Sequence, residues 1–204
     1  RLRDRPGWAV AATLAVLLHP AIFYVAAWWA QFESLYVLPM LIAWALAVRG
    51  RLGWAAVAIA IGLMTKPQAL PLAIPFAAWF LATSGWRGTA RAAVIGAATI
   101  IVLWTPFLAA GGPGKYLGNL AEYSAQFAVL SLRAWNPWWI LQSLTGGGAF
   151  IADGTAVFGP VTFRWLGIAI AGLMEALVFL WVLRRPTASG LAWGLAAAGH
   201  VAFI

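Results

Sequence analysis

The chain has 204 residues, of which 64% are apolar and only 9% are charged, and its net charge is +8. Long apolar runs with this composition are typical of a multi-spanning membrane protein and exclude an ordinary soluble domain. There is no cysteine, which excludes disulfide frameworks and cysteine-ligated metal sites. The basic residues stand singly or in pairs between apolar runs, so they favour loops at a membrane surface over a nucleic-acid interface.

Apolar runs in the chain predict seven membrane-spanning helices, since a span needs roughly 20 apolar residues. The runs lie at 7–27, 32–48, 52–65, 68–83, 91–109, 163–183 and 188–204. The third and fourth runs are short, and Lys66-Pro67 separates them. Because the residue before a proline is pushed out of helical geometry, we predict that these two runs form a helical hairpin with its tip near one membrane surface.

The positions of Lys and Arg predict how the spans are oriented. One set of connections carries Arg1, Arg3, Arg5, Arg49, Arg51, Arg87, Arg91, Arg184 and Arg185. The alternate set carries only Lys66, Lys115, Arg133 and Arg164. The richer set is confined to short loops and is therefore predicted to be cytoplasmic. A missed or extra span would break this alternation.

The longest connection, residues 110–162, is predicted to lie on the outer side. It opens and closes with glycine-rich stretches. Between them, residues 115–132 have a rough helical period and residues 133–144 are rich in aromatic side chains, which together indicate amphipathic helices at the outer surface. The predicted fold class is all-α, a multi-pass transmembrane helical bundle with a long outer loop.

Ionisable side chains inside apolar runs are candidates for a functional site, since each costs roughly 2.5–3.5 kcal/mol on insertion scales. Glu33 follows Trp28, Trp29 and Gln31 at the start of a span. Either it lines a polar pocket with Gln31, or it only caps a helix whose dipole favours a carboxylate by about 0.3–1 kcal/mol. The two tryptophans either stack on a sugar or anchor the chain at the interface.

Two further polar positions carry alternative interpretations. Lys66 and Gln68 flank Pro67 at the predicted tip, where an ammonium group and an amide can bind a phosphate. The alternative for Lys66 is a side chain that merely extends to water. Glu175 lies in the middle of a span, and either a packing partner or a transport role accounts for it. With two histidines and five acidic residues, we predict no metal site.

Three motifs resemble a known family: WAQFES at 29–34, GLMTKPQALPLAIPF at 62–76 and RAWNPWWIL at 133–141. They are similar to segments of the multi-pass GT-C glycosyltransferases, above all the bacterial mannosyltransferase-like group, and the resemblance covers roughly residues 20–145. It implies a hexosyltransferase of the bacterial inner membrane. The donor would be a polyprenyl-phosphate-linked sugar, and transfer to a lipid-linked or cell-envelope acceptor would occur at the non-cytoplasmic face.

The resemblance also implies which side chains meet the substrates. The candidates are Gln31, Glu33, Lys66, Gln68, Asn136 and Trp139. Gln31 and Glu33 would lie in the donor or acceptor cavity, and Lys66 and Gln68 near the lipid phosphate. In this family the catalytic carboxylate lies in an outer loop upstream of these motifs. We therefore expect residues 1–204 to be a partial domain, inactive alone, that lacks an N-terminal catalytic loop and a C-terminal remainder.

Two other classes of protein fit the pattern. A lipid or sugar transporter would favour inverted repeats and a site at mid-depth. The sequence shows no repeat, although Glu175 favours this alternative. A non-catalytic membrane subunit would explain the 14 tryptophans but not the Lys66-Pro67-Gln68 tip.

Overall fold

The computed structural model describes residues 6–20, 24, 33–131, 137–145 and 149–201. This part of the chain is mostly helical, which confirms the predicted all-α class. Its elements are α1 (Pro6–Leu17), α2 (Glu33–Val48), α3 (Leu52–Thr65), a 3-10 turn (Pro67–Ala69), α4 (Leu70–Leu108), α5 (Gly112–Gln126), α6 (Pro137–Thr145), β1 (Ala156–Phe158), β2 (Val161–Thr162), α7 (Phe163–Arg184) and α8 (Ala188–Val201).

Helix α4 reverses direction at Gly85, whose φ of 64° and ψ of −176° lie outside helical geometry. Glycine adopts this conformation readily because it has no β-carbon. Phe76 and Ile100 line one small cavity, although 24 residues of straight helix would separate them by about 36 Å. The helix is therefore two packed segments, α4a (70–84) and α4b (86–108), which agrees with the predicted break between residues 83 and 91.

The core lies where α2, α3 and α4a meet α7 and α8. Its largest fully buried side chains are Pro75 and Phe76 of α4a, Val182 of α7 and Leu191 of α8. Much of the remaining core is alanine from α2, α3 and α4. Small side chains let helix backbones approach closely, which is the usual packing of helices in membranes.

Basic turns gather at one end of this bundle. Trp44, near the end of α2, donates a hydrogen bond from Nε1 to the carbonyl oxygen of Ala188, at the start of α8 (3.2 Å). This contact brings the Arg49–Arg51 turn and the Arg184–Arg185 turn to the same end. Helix α4b, which follows the Gly85 reversal, packs against the start of α3, where a β-carbon on Gly53 would lie 3.2 Å from Ile95 Cδ1.

Two helices are long and apolar enough to cross a bilayer, one within Pro67–Leu108 and the other Phe163–Arg184. Large apolar side chains stay exposed along both, including Val94 (68%), Val102 (67%) and Leu173 (63%). Soluble monomers rarely expose large contiguous apolar patches. Length, composition and exposure are compatible with helices that face lipid.

Seven full-length spans are not supported by the described helices. Helices α1, α2 and α3 have 12, 16 and 14 residues. At 1.5 Å per residue they are about 18, 24 and 21 Å long, short of a hydrocarbon core of roughly 30 Å. The predicted first span, 7–27, is not one continuous helix in its described part, because α1 ends at Leu17. Residues 21–23 and 25–27 of this span lie outside the described residues. His19 precedes Pro20 and is not helical, as expected for a residue before proline.

Residues 110–162, the predicted outer loop, contain helices α5 and α6, as predicted, and also a two-stranded hairpin that was not predicted. Strands β1 and β2 pair antiparallel, with Ala156 opposite Thr162 and Phe158 opposite Val161. Gly159 lies in the turn with a φ of 51°, a left-handed conformation that suits glycine. The hairpin leads directly into α7.

Candidate functional site

The Lys66-Pro67 tip breaks the helix between α3 and α4 as predicted. Lys66 has an extended backbone (φ −155°, ψ 126°), and Pro67 begins the 3-10 turn. The amide of Lys66 donates to the carbonyl oxygen of Gly62 (3.2 Å), and its carbonyl accepts from the amide of Ala69 (3.0 Å). Two backbone hydrogen bonds and a proline therefore fix the position of the Lys66 backbone.

The ammonium group of Lys66 lies over an aromatic ring of α2. Its Nζ is 6.0 Å from the ring centroid of Tyr36, at the limit of a cation–π contact. Lys66 and Tyr36 are half-buried, whereas Gln68 is exposed. Glu33 is the first residue of α2, so its backbone lies one turn before Tyr36, in the first turn as predicted. The Glu33 side chain lies outside the described part of the structure.

An apolar groove of about 630 Å³ runs between α2 and α8. Its walls are Tyr36, Val37, Met40, Leu41, Trp44, Leu72, Ala192, Leu195, Ala196, Gly199 and His200. The His200 ring is held to its own helix, with Nδ1 2.8 Å from the carbonyl oxygen of Ala196. Because Tyr36 both lines the groove and lies under the Lys66 ammonium, a positive charge stands beside an apolar channel.

A second cavity, of about 350 Å³, lies between the outer loop and α7. It is lined by Pro71, Val129, Leu130, Trp138, Asp153, Phe163, Arg164, Gly167, Ile168, Ala171, Glu175 and Val201. We call it the loop cavity. Unlike the groove, it has two carboxyl groups and an arginine in its wall, and these come from both the outer loop and the middle of α7.

An ion pair forms part of the loop-cavity wall. Arg164 donates from Nε and Nη2 to the two carboxylate oxygens of Asp153, each at 2.8 Å. The backbone amide of Arg164 also donates to the carbonyl oxygen of Asp153 (2.8 Å). Such bidentate pairs have fixed geometry. This pair was not predicted from the sequence, because Asp153 and Arg164 come together only through the β1–β2 hairpin between them.

A buried amide holds the outer loop together. Gln142 of α6 donates from Nε2 to the carbonyl oxygen of Ser131 (3.2 Å) and accepts from the amide of Ile151 (3.1 Å). The amide of Leu130 also donates to the carbonyl oxygen of Ile151 (2.7 Å). These bonds fix α6, and α6 in turn places the Trp138 ring against Phe163, with centroids 6.2 Å apart and planes at 76°.

The structure does not gather the predicted substrate-binding candidates at one site. Lys66 lies beside the apolar groove, whereas Trp138 lines the loop cavity. Trp139 is half-buried in α6 and is not a wall residue of either cavity. Gln31 and Asn136 lie outside the described residues. The two cavities approach each other at the start of α4, where Pro71 lines the loop cavity and Leu72 the groove.

Among the described residues, no group of three or more His, Asp or Glu side chains is placed to hold a metal ion. The chain matches no protein-family model, no curated protein and no solved structure. The geometry of these two cavities and the motifs of the sequence are therefore what indicates a function.

Proposed function

We propose that the chain is part of an integral-membrane glycosyltransferase of the GT-C type, which transfers a hexose from a polyprenyl-phosphate sugar to a lipid-linked or cell-envelope acceptor. The observation that carries the proposal is the Lys66 ammonium 6.0 Å from the Tyr36 ring, beside a groove that Tyr36 also lines. A lipid phosphate has the matching chemistry, since its anionic group needs a cation and its chain needs an apolar channel.

The depth of Lys66 supports a phosphate-binding role. If the arginine-rich end of the bundle lies at one interface, α3 reaches about 21 Å into a hydrocarbon core of roughly 30 Å. Lys66 then stands about 9 Å below the opposite interface. At that depth the dielectric is reduced, and a charge-assisted hydrogen bond is roughly twice as strong as a neutral one.

We also propose the multi-pass orientation in a bacterial inner membrane, with the arginine-rich turns cytoplasmic and the outer loop on the opposite side. Trp54, Trp86 and Trp193 are exposed near the arginine-rich end, and Trp165 is exposed at the other end of α7. Tryptophan at both ends of apolar helices is typical of membrane interfaces. Helices as short as α2 and α3 require a locally thinned bilayer, or flanking side chains that extend to the interface, in this arrangement.

The orientation can be tested with single cysteines, because the chain has none of its own. Ser84 and Thr155 are both exposed, Ser84 beside the Gly85 reversal and Thr155 in the outer loop. In oriented vesicles, a membrane-impermeant maleimide should label Ser84→Cys and Thr155→Cys from opposite sides. Labelling of both from the same side contradicts the orientation.

The transferase proposal is tested by donor binding to the chain in lipid nanodiscs. A radiolabelled polyprenyl-phosphate hexose should bind saturably, and unlabelled donor should compete for the site. Polyprenol of the same length, which lacks phosphate and sugar, should compete at least tenfold less well. Equal competition by polyprenol removes the basis of the proposal, because it shows that the site recognises only the chain of the lipid.

A transporter is the alternative favoured by Glu175, which lies buried in the middle of α7. Proteoliposomes separate the two functions. A transporter moves the labelled donor from one leaflet to the other, whereas a transferase of this type binds donor from one leaflet only. Movement of donor at a rate that depends on the protein therefore favours transport.

A further inference from the structure

The loop cavity contains a buried acidic group that the proposed lipid-phosphate contact does not use. Glu175 is only 8% exposed. Within the described part of the structure, neither of its carboxyl oxygens has a hydrogen-bond partner. A buried polar group without a partner costs roughly 1–3 kcal/mol, and a charged one costs more. Such a group is retained where something else supplies the missing hydrogen bonds.

The shape of the cavity connects Glu175 to the outer loop. Arg164, Ile168, Ala171 and Glu175 recur on one face of α7 and all line the cavity. Glu175 lies 11 residues after Arg164, so it is about 16 Å deeper along the helix. Gly167 and Ala171 are small, which leaves space between these two levels. The Trp138 ring bounds that space, 3.6 Å from where a β-carbon on Gly167 would lie.

The chemistry of the wall selects a class of ligand. Arg164 and Asp153 neutralise each other, so the wall near the loop presents no free charge to attract an anion such as phosphate. The indole of Trp138 offers an apolar ring, and Glu175 offers two oxygens that can accept hydrogen bonds from hydroxyl groups. A volume of about 350 Å³ is at the small end of ligand pockets and suits a single ring.

We propose that the loop cavity is a binding subsite for one neutral pyranose ring, with Glu175 accepting hydrogen bonds from ring hydroxyls and Trp138 packing against the apolar face of the sugar. This inference rests on the proposed transferase function and assigns its sugar-binding position. It places the sugar on one side of the start of α4 and the lipid groove on the other, where Pro71 and Leu72 are adjacent.

The probe is methyl mannopyranoside, titrated against the chain in nanodiscs by saturation-transfer NMR. Glu175→Leu removes both carboxyl oxygens at similar volume and should weaken binding about fivefold or more, since two hydrogen bonds of about 0.5 kcal/mol each correspond to that factor. Glu122→Leu is the matched control, because Glu122 is an exposed carboxylate of α5 outside the cavity, and it should bind normally. Equal affinity of the two variants overturns the inference. Glucosamine binding about tenfold more tightly than the neutral sugar also overturns the inference, because it would indicate a site for a cation.

A second measurement needs no variant and so does not depend on how Glu175→Leu folds. Dicyclohexylcarbodiimide, a lipid-soluble reagent, modifies carboxyl groups in apolar surroundings, and peptide mass spectrometry reports modification at Glu175. Methyl mannopyranoside should slow that modification severalfold, whereas glycerol at the same concentration should not. Equal rates with and without the sugar overturn the subsite. If the sugar protects Glu175 but polyprenol competes as well as the donor, the subsite is retained and the transferase proposal fails. If polyprenol competes poorly but the sugar gives no protection, the transferase proposal is retained and the subsite fails.

Discussion

Replacing Lys66 with methionine should weaken binding of a polyprenyl-phosphate hexose about ten- to hundredfold, which corresponds to about 1.5–3 kcal/mol, the range for hydrogen bonds to charged groups. Methionine keeps an unbranched apolar side chain and removes the charge. The backbone of the tip depends on Pro67 and on bonds to Gly62 and Ala69, which the substitution leaves in place. The fold should therefore survive, and equilibrium binding in nanodiscs measures the effect.

The control for Lys66→Met is Lys115→Met. Lys115 is an exposed lysine of α5 on the same predicted side of the membrane, and it lines neither the groove nor the loop cavity. Its replacement removes the same charge from the chain, so any general attraction of the lipid phosphate falls equally in both variants. If donor affinity is unchanged in Lys66→Met, the phosphate role is wrong and Lys66 is a lysine that only extends towards water.

The tip could be predicted from the sequence because its determinants are local. Proline restricts the residue before it, so the break at Lys66 follows from two adjacent residues. A break between residues 83 and 91 was also predicted, from the end of one apolar run and the start of the next with Arg87 and Arg91 between them, and the structure places the reversal at Gly85. Apolar composition likewise predicted helices, and the described chain is mostly helical.

The loop cavity could not be predicted, because its parts are distant in the sequence. Asp153 and Arg164 are joined through a short hairpin whose strands have three and two residues, too few to give a clear alternating pattern. The resemblance pointed to Trp139, yet its neighbour Trp138 lines the cavity. Which of two adjacent tryptophans faces inward depends on how Gln142 fixes α6, a contact that no local pattern reveals.

Replacing Gly194 with alanine should destabilise the bundle by about 1–3 kcal/mol, the usual cost of overpacking a well-packed core. A β-carbon on this residue of α8 would overlap Cγ2 of Val182 and lie 3.4 Å from Cβ of Pro75. Val182 and Pro75 are fully buried, so neither can move into empty space. Thermal unfolding in detergent, followed by far-ultraviolet circular dichroism, measures the loss.

Gly172 of α7 provides the matched control for Gly194. It also lies inside a helix, but a β-carbon there would meet nothing within 4 Å. In a helix interior alanine is favoured over glycine by about 0.8–1 kcal/mol, so Gly172→Ala should be neutral or stabilising. The same substitution is thus expected to act with opposite sign at the two positions, since helix propensity acts alone at Gly172 and is outweighed by steric overlap at Gly194. An equal gain in stability at both positions would show that α8 does not pack against Val182 and Pro75.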